Sequence, residues 1–458
     1  MSQKRRNDSG DMEPLDEEGN DEVHENVSAR KRMRLELRAE NILKQTSKPN
    51  GGPWLRSDTK LHQKASILSL PPEIMHNIFL RLKREERQVL GAVCKHWLAL
   101  MKDPIFCTSL VIKKKAPCSF YCRVLQQSPL LKRLRIHERE ELVLFLMTLK
   151  KFNPFLEELT IHGLIPDNDD HYLNYGTCFK KLKFFSNLRS LSLTNVTMYY
   201  KNIVKTLSKL ENLKVLELVD CNLNLSFLNL LAESNVRLEE FSYKNIFSSF
   251  VPNKMAFKKF FVKMGPSLKV VKLSIPRMTI DLIQSIVENC ENLIHLELRL
   301  RYKFIGNSWL ELLGSLKHLE HLNLFEVQCT NASYWSNLLS EPSLARLKSL
   351  SLSFCTNLQP SVFETIGTKL KELESISLSC QNAGATGLAH IIKNCSKLKS
   401  LTLSHVTSMT VKNLVLIPEY LPNLEVLSFR PKMGSSNEQS IMEQIELMTP
   451  GLSVNYFY

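Results

Sequence analysis

No part of this chain is apolar for long. Its longest uninterrupted apolar run is Leu142 to Met147, far short of the roughly 20 residues that span a bilayer. The opening residues, MSQKRRNDSGDMEP, carry no apolar stretch of the kind that drives secretion. A nuclear or cytoplasmic address, with no membrane partner, is the expectation. Cysteine clusters are missing as well. Eleven cysteines are scattered along the chain, and the nearest pair, Cys118 and Cys122, is not CxxC. No Cys/His spacing suits a zinc finger or a RING-type site. In a reducing compartment such thiols act as small buried hydrophobes. Phosphate-cradling and nucleophile motifs are missing too: there is no GxGxxG, GxxxxGK[ST], GxSxG or HExxH. An enzyme is therefore disfavoured, and no cofactor is implied.

What the chain does have is length, charge and a repeat. Its 458 residues allow two to three domains. The net charge is +14, with Lys and Arg spread thinly rather than gathered in one domain. That distribution reads as a solvated lysine-rich surface and makes nucleic acid an unlikely partner. Residues 1–65 read as a disordered tail. Asp8 to Glu25 holds nine acidic residues and almost nothing apolar, too little to offset chain entropy. ARKRMRLELR, from Ala29 to Arg38, suggests a nuclear import signal, with Lys4, Arg5 and Arg6 as a second basic group; the plain alternative is a short basic helix. PNGGPW at 49–54 is a linker, because Pro and Gly break helices.

Residues 66–109 are different. Pro71 and Pro72 suit a helix start, where a missing N–H costs nothing. Glu73 favours the first turn through the helix dipole. Ile74, Ile78 and Leu82 recur at four-residue spacing, so one face is apolar. A second apolar stretch from Val89 runs through Val93 to Trp97 and Leu100, and Pro104 stops it. Two or three short helices are expected. A block this small is not stable alone and must share an apolar face with something else.

Residues 110–458 are a repeat array. LxxLxL, or a close variant, starts at Leu131, Leu156, Leu188, Leu213, Leu238, Leu268, Leu293, Leu319, Leu347, Leu373, Leu398 and Leu424, at intervals of 25 to 32 residues. Period and pattern are those of leucine-rich repeats. Each unit is one short strand with its leucines inward, then a turn, a helix and a return, and neighbouring units stack because none can bury its face alone. The expected fold is an α/β, right-handed leucine-rich-repeat solenoid of about twelve units behind a small all-α block. Ser109 to Ile112 and Leu452 to Tyr456 read as partial capping strands. The long intervals imply loop insertions, one being PDNDDHYLNYGT at 166–177.

Two resemblances follow. The repeats are similar to the cysteine-containing class of leucine-rich repeat. LxxLxLxxC is complete at Leu213–Cys221 and Leu347–Cys355, and Cys290 and Cys395 sit three residues before a leucine. Val196, Ile246, Val327 and Val406 replace the cysteine conservatively. Arg139, Pro276, Arg301, Gln381 and Lys432 do not, so irregular turns are expected there. Residues 67–109 resemble an F-box through LPPEI at Leu70–Ile74, Ile78 and Phe79, Leu82, VCKHW at Val93–Trp97, and Asp103-Pro104. KREERQ at 83–88 is more charged than usual for that family.

The resemblance to the F-box and leucine-rich-repeat family implies a non-catalytic substrate receptor of an SCF-type ubiquitin ligase. Its F-box would dock on the Skp adaptor, and through it on a cullin and a RING subunit, while the repeats would hold an unknown protein substrate. The family pattern puts Leu70, Pro71, Pro72, Glu73, Ile74, Ile78, Phe79, Leu82, Val93, Cys94 and Trp97 in the docking region. The alternatives are an interaction scaffold without a ligase role and a block that merely caps the solenoid.

Period-two alternation sets the surface columns of the strand face. Early units are mixed: Arg133, Arg135 and His137, then Glu158, Thr160 and His162. Units nine to eleven offer only hydroxyls, from Ser349, Ser351 and Ser353 through Ser375, Ser377 and Ser379 to Ser400, Thr402 and Ser404. Between them lie Lys272, His295, Arg299, His321 and Phe325, with Arg301 and Lys303 just beyond a strand. Arginine and aromatic side chains are frequent hot-spot types, and a run of cations suits an acidic or phosphorylated segment. His295 and His321 are too few ligands for a metal.

Overall fold

The structure is a computed structural model. It describes residues 67, 70–82, 86–87, 89–163, 180–196, 206–221, 226–245, 254–275, 278–300, 308–379, 384–404, 411–429 and 452–456. The acidic and basic segments of the tail, PNGGPW and the 166–177 insertion lie outside these residues. The chain divides into two compact units, Met1–Cys107 and Thr108–Tyr458.

The first unit contains α1 (Pro72–Leu80), a 3-10 turn at Leu90–Ala92, α2 (Lys95–Leu100) and a second 3-10 turn at Pro104–Phe106. Pro72 occupies the first position of α1, where its missing N–H is harmless, and Glu73 sits in the first turn. The inward stripe of the first helix and its exit is Met75, Ile78, Phe79 and Leu82, all buried, at the i, i+3, i+4, i+7 spacing of a helix face. Of the expected face of Ile74, Ile78 and Leu82, the last two lie in this stripe, while Met75 takes the place of Ile74, which is 44% exposed. The stripe packs on Leu90 and Trp97. The rings of Phe79 and Trp97 meet edge-on, 5.0 Å between centroids.

The second unit is one parallel sheet. Its strands are Ser109–Ile112 (β1), Arg133–His137 (β2), Glu158–His162 (β3), Ser190–Thr194 (β4), Val215–Val219 (β5), Glu240–Lys244 (β6), Val270–Ser274 (β7), His295–Arg299 (β8), His321–Phe325 (β9), Ser349–Ser353 (β10), Ser375–Ser379 (β11), Ser400–Ser404 (β12), Val426–Phe429 (β13) and Ser453–Tyr456 (β14). They lie side by side in sequence order, and the sheet does not close. Every LxxLxL segment supplies one strand, and the two partial strands flank them. Helices connect most strands, among them Leu142–Phe152, Ile280–Asn289, Pro360–Lys369 and Gly384–Asn394. A leucine-rich-repeat solenoid is the result.

The core explains the repeat. The second and third apolar positions of each template alternate inward along the strand, as Leu350 and Leu352 do at 0% exposure. The first, such as Leu347, is buried just ahead of it. They form one continuous apolar cluster from Ile112 to Phe429. Removing one such leucine costs about 2–5 kcal/mol.

The turns after the strands are also built from a column. Glu138, Asn195, Asp220, Glu326 and Phe354 all have positive φ, between 49° and 60°, and this turns the chain out of the sheet. The amide of Asn195 donates to the Val219 carbonyl of the next unit at 2.9 Å, and that of Glu326 to Ser353 at 2.8 Å. The next residue is the cysteine column. Cys221 and Cys355 are buried there, and so are Val196 and Val327. Arg139 departs from the class yet is also buried, at 7% exposure. Its guanidinium donates to the carbonyls of Lys114 and Ala116, both at 2.9 Å, and pairs with Glu141 at 3.1 Å. It also packs on the rings of Tyr121 and Phe145. An arginine thus fills a hydrophobic position by supplying donors to the turn beneath it. Pro276, Arg301, Gln381 and Lys432 lie outside the described residues.

Candidate functional site

Two surfaces are candidates, one in each unit. In the first unit, the eleven residues expected to dock a partner separate by burial. Ile78, Phe79, Leu82 and Trp97 are the block's own core. Leu70, Val93 and Cys94 are half-buried against that core. Cys94 also acts locally, because its Sγ accepts the Trp97 amide at 3.4 Å and caps α2. Asp103 caps the following turn through the Ile105 amide at 2.9 Å, and its carboxylate lies 3.6 Å from His76 Nε2.

Pro71, Pro72, Glu73 and Ile74 are exposed. Two apolar residues that sequence reasoning missed join them: Leu80 at 39% and Leu98 at 45% exposure. The signal for Leu98 was its place beside Trp97. Once the tryptophan faces inward, its neighbour sits about 100° around the helix and points away. Ile74, Leu80 and Leu98 are thus three large aliphatic side chains that this small block leaves in water.

In the second unit, the strand face carries the mixed column. His137 and His162 stack at 4.4 Å with an 11° interplanar angle, and burial, with His137 and Arg135 nearby, holds His162 below the usual histidine range. In the middle strands, the expected Lys272 and Arg299, and Lys244 beside them, are engaged by neighbours one or two units away. Lys272 meets Glu240 at 2.7 Å, Lys244 meets Glu297 at 3.0 Å, and Arg299 meets Glu326 at 3.2 Å. The Arg299 guanidinium also lies over the Phe325 ring at 5.6 Å. His295 and His321 have centroids 5.5 Å apart, and Asn323 contacts His295 Nε2 at 3.3 Å. Burial, then Lys272 and His321, lowers the pKa of His295. The structure brings Lys272, His295, Arg299, His321 and Phe325 together on β7–β9; Arg301 and Lys303 lie outside the described residues. The patch is a charge-paired polar floor in which Lys244, Lys272 and Arg299 each have a carboxylate. No trio of His, Cys, Asp or Glu able to hold a metal occurs among the described residues.

The hydroxyl floor follows directly. Ser349, Ser375 and Ser400 are in register, as are Ser351, Ser377 and Thr402, and Ser353, Ser379 and Ser404. Its side chains are half-exposed wherever they are described. A flat neutral grid of small donors and acceptors thus adjoins the charge-paired one.

Residues 67–109 match the F-box domain family. A comparison with curated protein sequences returns no match. Among solved structures, a chain of the yeast Rad7 and Elc1 complex is similar over 85% of this chain and 98% of that one, at 16% identity and a TM-score of 0.54. A leucine-rich-repeat protein of Leptospira interrogans (15% identity, 78% of this chain and 98% of that one, TM-score 0.33) and a chain of the TLR13–ssRNA13 complex (14% identity, 77% and 62%, TM-score 0.35) also match.

Proposed function

We propose, from the premise that residues 67–109 are an F-box domain followed by a leucine-rich-repeat solenoid, that this chain is the substrate-recognition subunit of an SCF-type ubiquitin ligase. The observation that carries the reading is the division of labour inside the block. Phe79, Leu82 and Trp97 hold it together, and Ile74, Leu80 and Leu98 remain in water. These exposed residues are the side chains a Skp-type adaptor would cover. The similarity to a chain solved with Elc1 supports the fold on which the reading rests.

The chain's own contribution is positioning rather than chemistry. Holding a substrate near a carrier of activated ubiquitin turns transfer into an effectively intramolecular step. Fourteen strands in register make a rigid platform for that purpose. The substrate would lie on the strand face of β7–β12, where the charge-paired patch meets the hydroxyl grid. Such a face suits an extended polar segment that makes many short hydrogen bonds. Degradation of the substrate by the proteasome, and a nuclear or cytoplasmic site of action, belong to the same proposal.

The test is reconstitution. Full-length chain mixed with a Skp-type adaptor should co-elute with it, and a cullin–RING pair should join the complex. Ile74→Asp with Leu98→Asp should abolish co-elution while the solenoid stays folded by circular dichroism. If the wild-type chain and the adaptor elute separately, the ligase reading fails, and a scaffold built on the repeats alone is what remains.

A further inference from the structure

The edge of the sheet at which the strands begin carries a second pattern. The residue after the first leucine of each unit lies there, and its charge tends to alternate from one unit to the next. Lys132 pairs with Glu157 at 3.0 Å near one end. Towards the other, Lys348 pairs with Glu320 at 2.7 Å and Lys399 with Glu374 at 2.6 Å. In units four to seven the balance is lost. Glu239 is shared by Lys214 at 3.3 Å and Lys269 at 2.8 Å, and burden on one carboxylate leaves a surplus of positive charge. Unit seven has no charge at this position: it has Ile294.

A surface depression of about 480 Å³ lies here, with Ile294 and Pro266 as its apolar lining. Arg237 and Arg346 also line it. Both are exposed, and neither has an ion-pair partner among the described residues. Around the depression, four cations (Lys214, Arg237, Lys269 and Arg346) face two carboxylates, and one of these, Glu320, is already held by Lys348 from outside.

The spacing defines the ligand. Arg237 immediately precedes the first leucine of unit five, and Arg346 that of unit nine. Four strand spacings of roughly 4.8 Å separate them by about 19 Å. An extended peptide, rising about 3.3 Å per residue, covers that distance in about six residues. Ile294 belongs to unit seven, midway between the arginines. We propose that this edge binds an extended acidic segment of a partner protein, with an acidic group at each end and an apolar side chain between them. Each arginine takes one acidic end as a charge-assisted pair, and the apolar side chain sits on Ile294 and Pro266. The surface is separate from the strand face, and its use does not depend on the F-box.

The test uses full-length protein and a fluorescein-labelled peptide with paired glutamates at both ends and a central leucine, read by fluorescence anisotropy. Binding should weaken as salt rises from about 50 to 300 mM, since exposed pairs are screened. Arg237→Glu with Arg346→Glu should lower the affinity by about tenfold or more, with an unchanged thermal midpoint. Replacing the central leucine with glycine should weaken binding severalfold. Lys272→Ala with Arg299→Ala, on the strand face, should leave it unchanged. Equal binding to the double-Glu variant, or equal binding of a peptide with lysines for glutamates, overturns the proposal. Neutralising the nine acidic residues between Asp8 and Glu25 in the full chain is the remaining arm. If that raises peptide affinity tenfold, the occupant is this chain's own acidic stretch, and the assignment to a partner is wrong.

Discussion

Trp97→Ala and Ile74→Ala should fail for opposite reasons. Trp97 is 1% exposed and packs against Phe79. Its truncation removes a large buried side chain and leaves a cavity, at a cost of about 3–5 kcal/mol. A block of this size has only a few kcal/mol of stability, so the variant should melt locally. Ile74 keeps 44% of its surface in water, and Leu98 keeps 45%. Truncating either removes little from the folded block. Full burial of such a side chain is worth about 1.5–3 kcal/mol, so covering the exposed fraction is worth roughly 1 kcal/mol each. Losing both weakens a covering partner by roughly 2 kcal/mol, about thirtyfold. The assay pairs limited proteolysis of residues 67–109 with adaptor affinity by biolayer interferometry. Trp97→Ala should be cleaved quickly and bind nothing. Ile74→Ala with Leu98→Ala should resist cleavage like the wild type and bind about thirtyfold more weakly. If the surface pair binds normally, or the tryptophan variant stays protected, the separation into core and docking face is mistaken.

Arg139→Leu keeps volume but leaves the Lys114 and Ala116 carbonyls without their charged donor; urea unfolding should show a stability lower by about 2–4 kcal/mol. Burial holds the pKa values of His162 and His295 below the ordinary histidine value of 6.5. The unfolded chain therefore binds protons that the folded one refuses, so their contribution to stability is present above pH 6.5 and is lost as pH falls below it. His162→Gln with His295→Gln should flatten the acid side of a stability-against-pH curve. Burial raises the thiol pKa to about 12 at Cys221 and Cys290 and to about 11 at Cys395. Iodoacetamide at neutral pH should spare these three in native protein and label them in urea. A Cβ on Gly265 would run into the carbonyl oxygen of Asn289, so Gly265→Ala should lower the melting temperature although alanine favours helices.

The solenoid was legible because each unit repeats one constraint. Leu188, Leu191 and Leu193 must all be buried for β4 to sit between its neighbours, and the same demand recurs in every unit. The inward face of α1 was not legible to the same degree. Ile74 and Met75 are both large, apolar and adjacent, and periodicity tolerates either as the inward residue; only packing against Trp97 selects Met75. The strand-face cations misled for a different reason. Lys272 and Arg299 read as free charges along the sequence, yet their partners, Glu240 and Glu326, arrive from other units through the register of the sheet. Arg139 broke the cysteine column by identity while meeting its requirement, a filled position under the turn, through hydrogen bonds instead of apolar contact. Short-range patterns carry burial, and pairings across tens of residues need the fold.

The central claim is that one face of this chain holds a substrate while the F-box delivers it for ubiquitin transfer. Proximity labelling under proteasome block, comparing the wild type with the Ile74→Asp and Leu98→Asp double variant, tests it most directly. Both proteins should label the same solenoid partners. Only the wild type should label adaptor and cullin, and at least one shared partner should carry ubiquitin with the wild type and accumulate unmodified with the variant. If the two label sets and their ubiquitination are identical, the chain is not a substrate receptor.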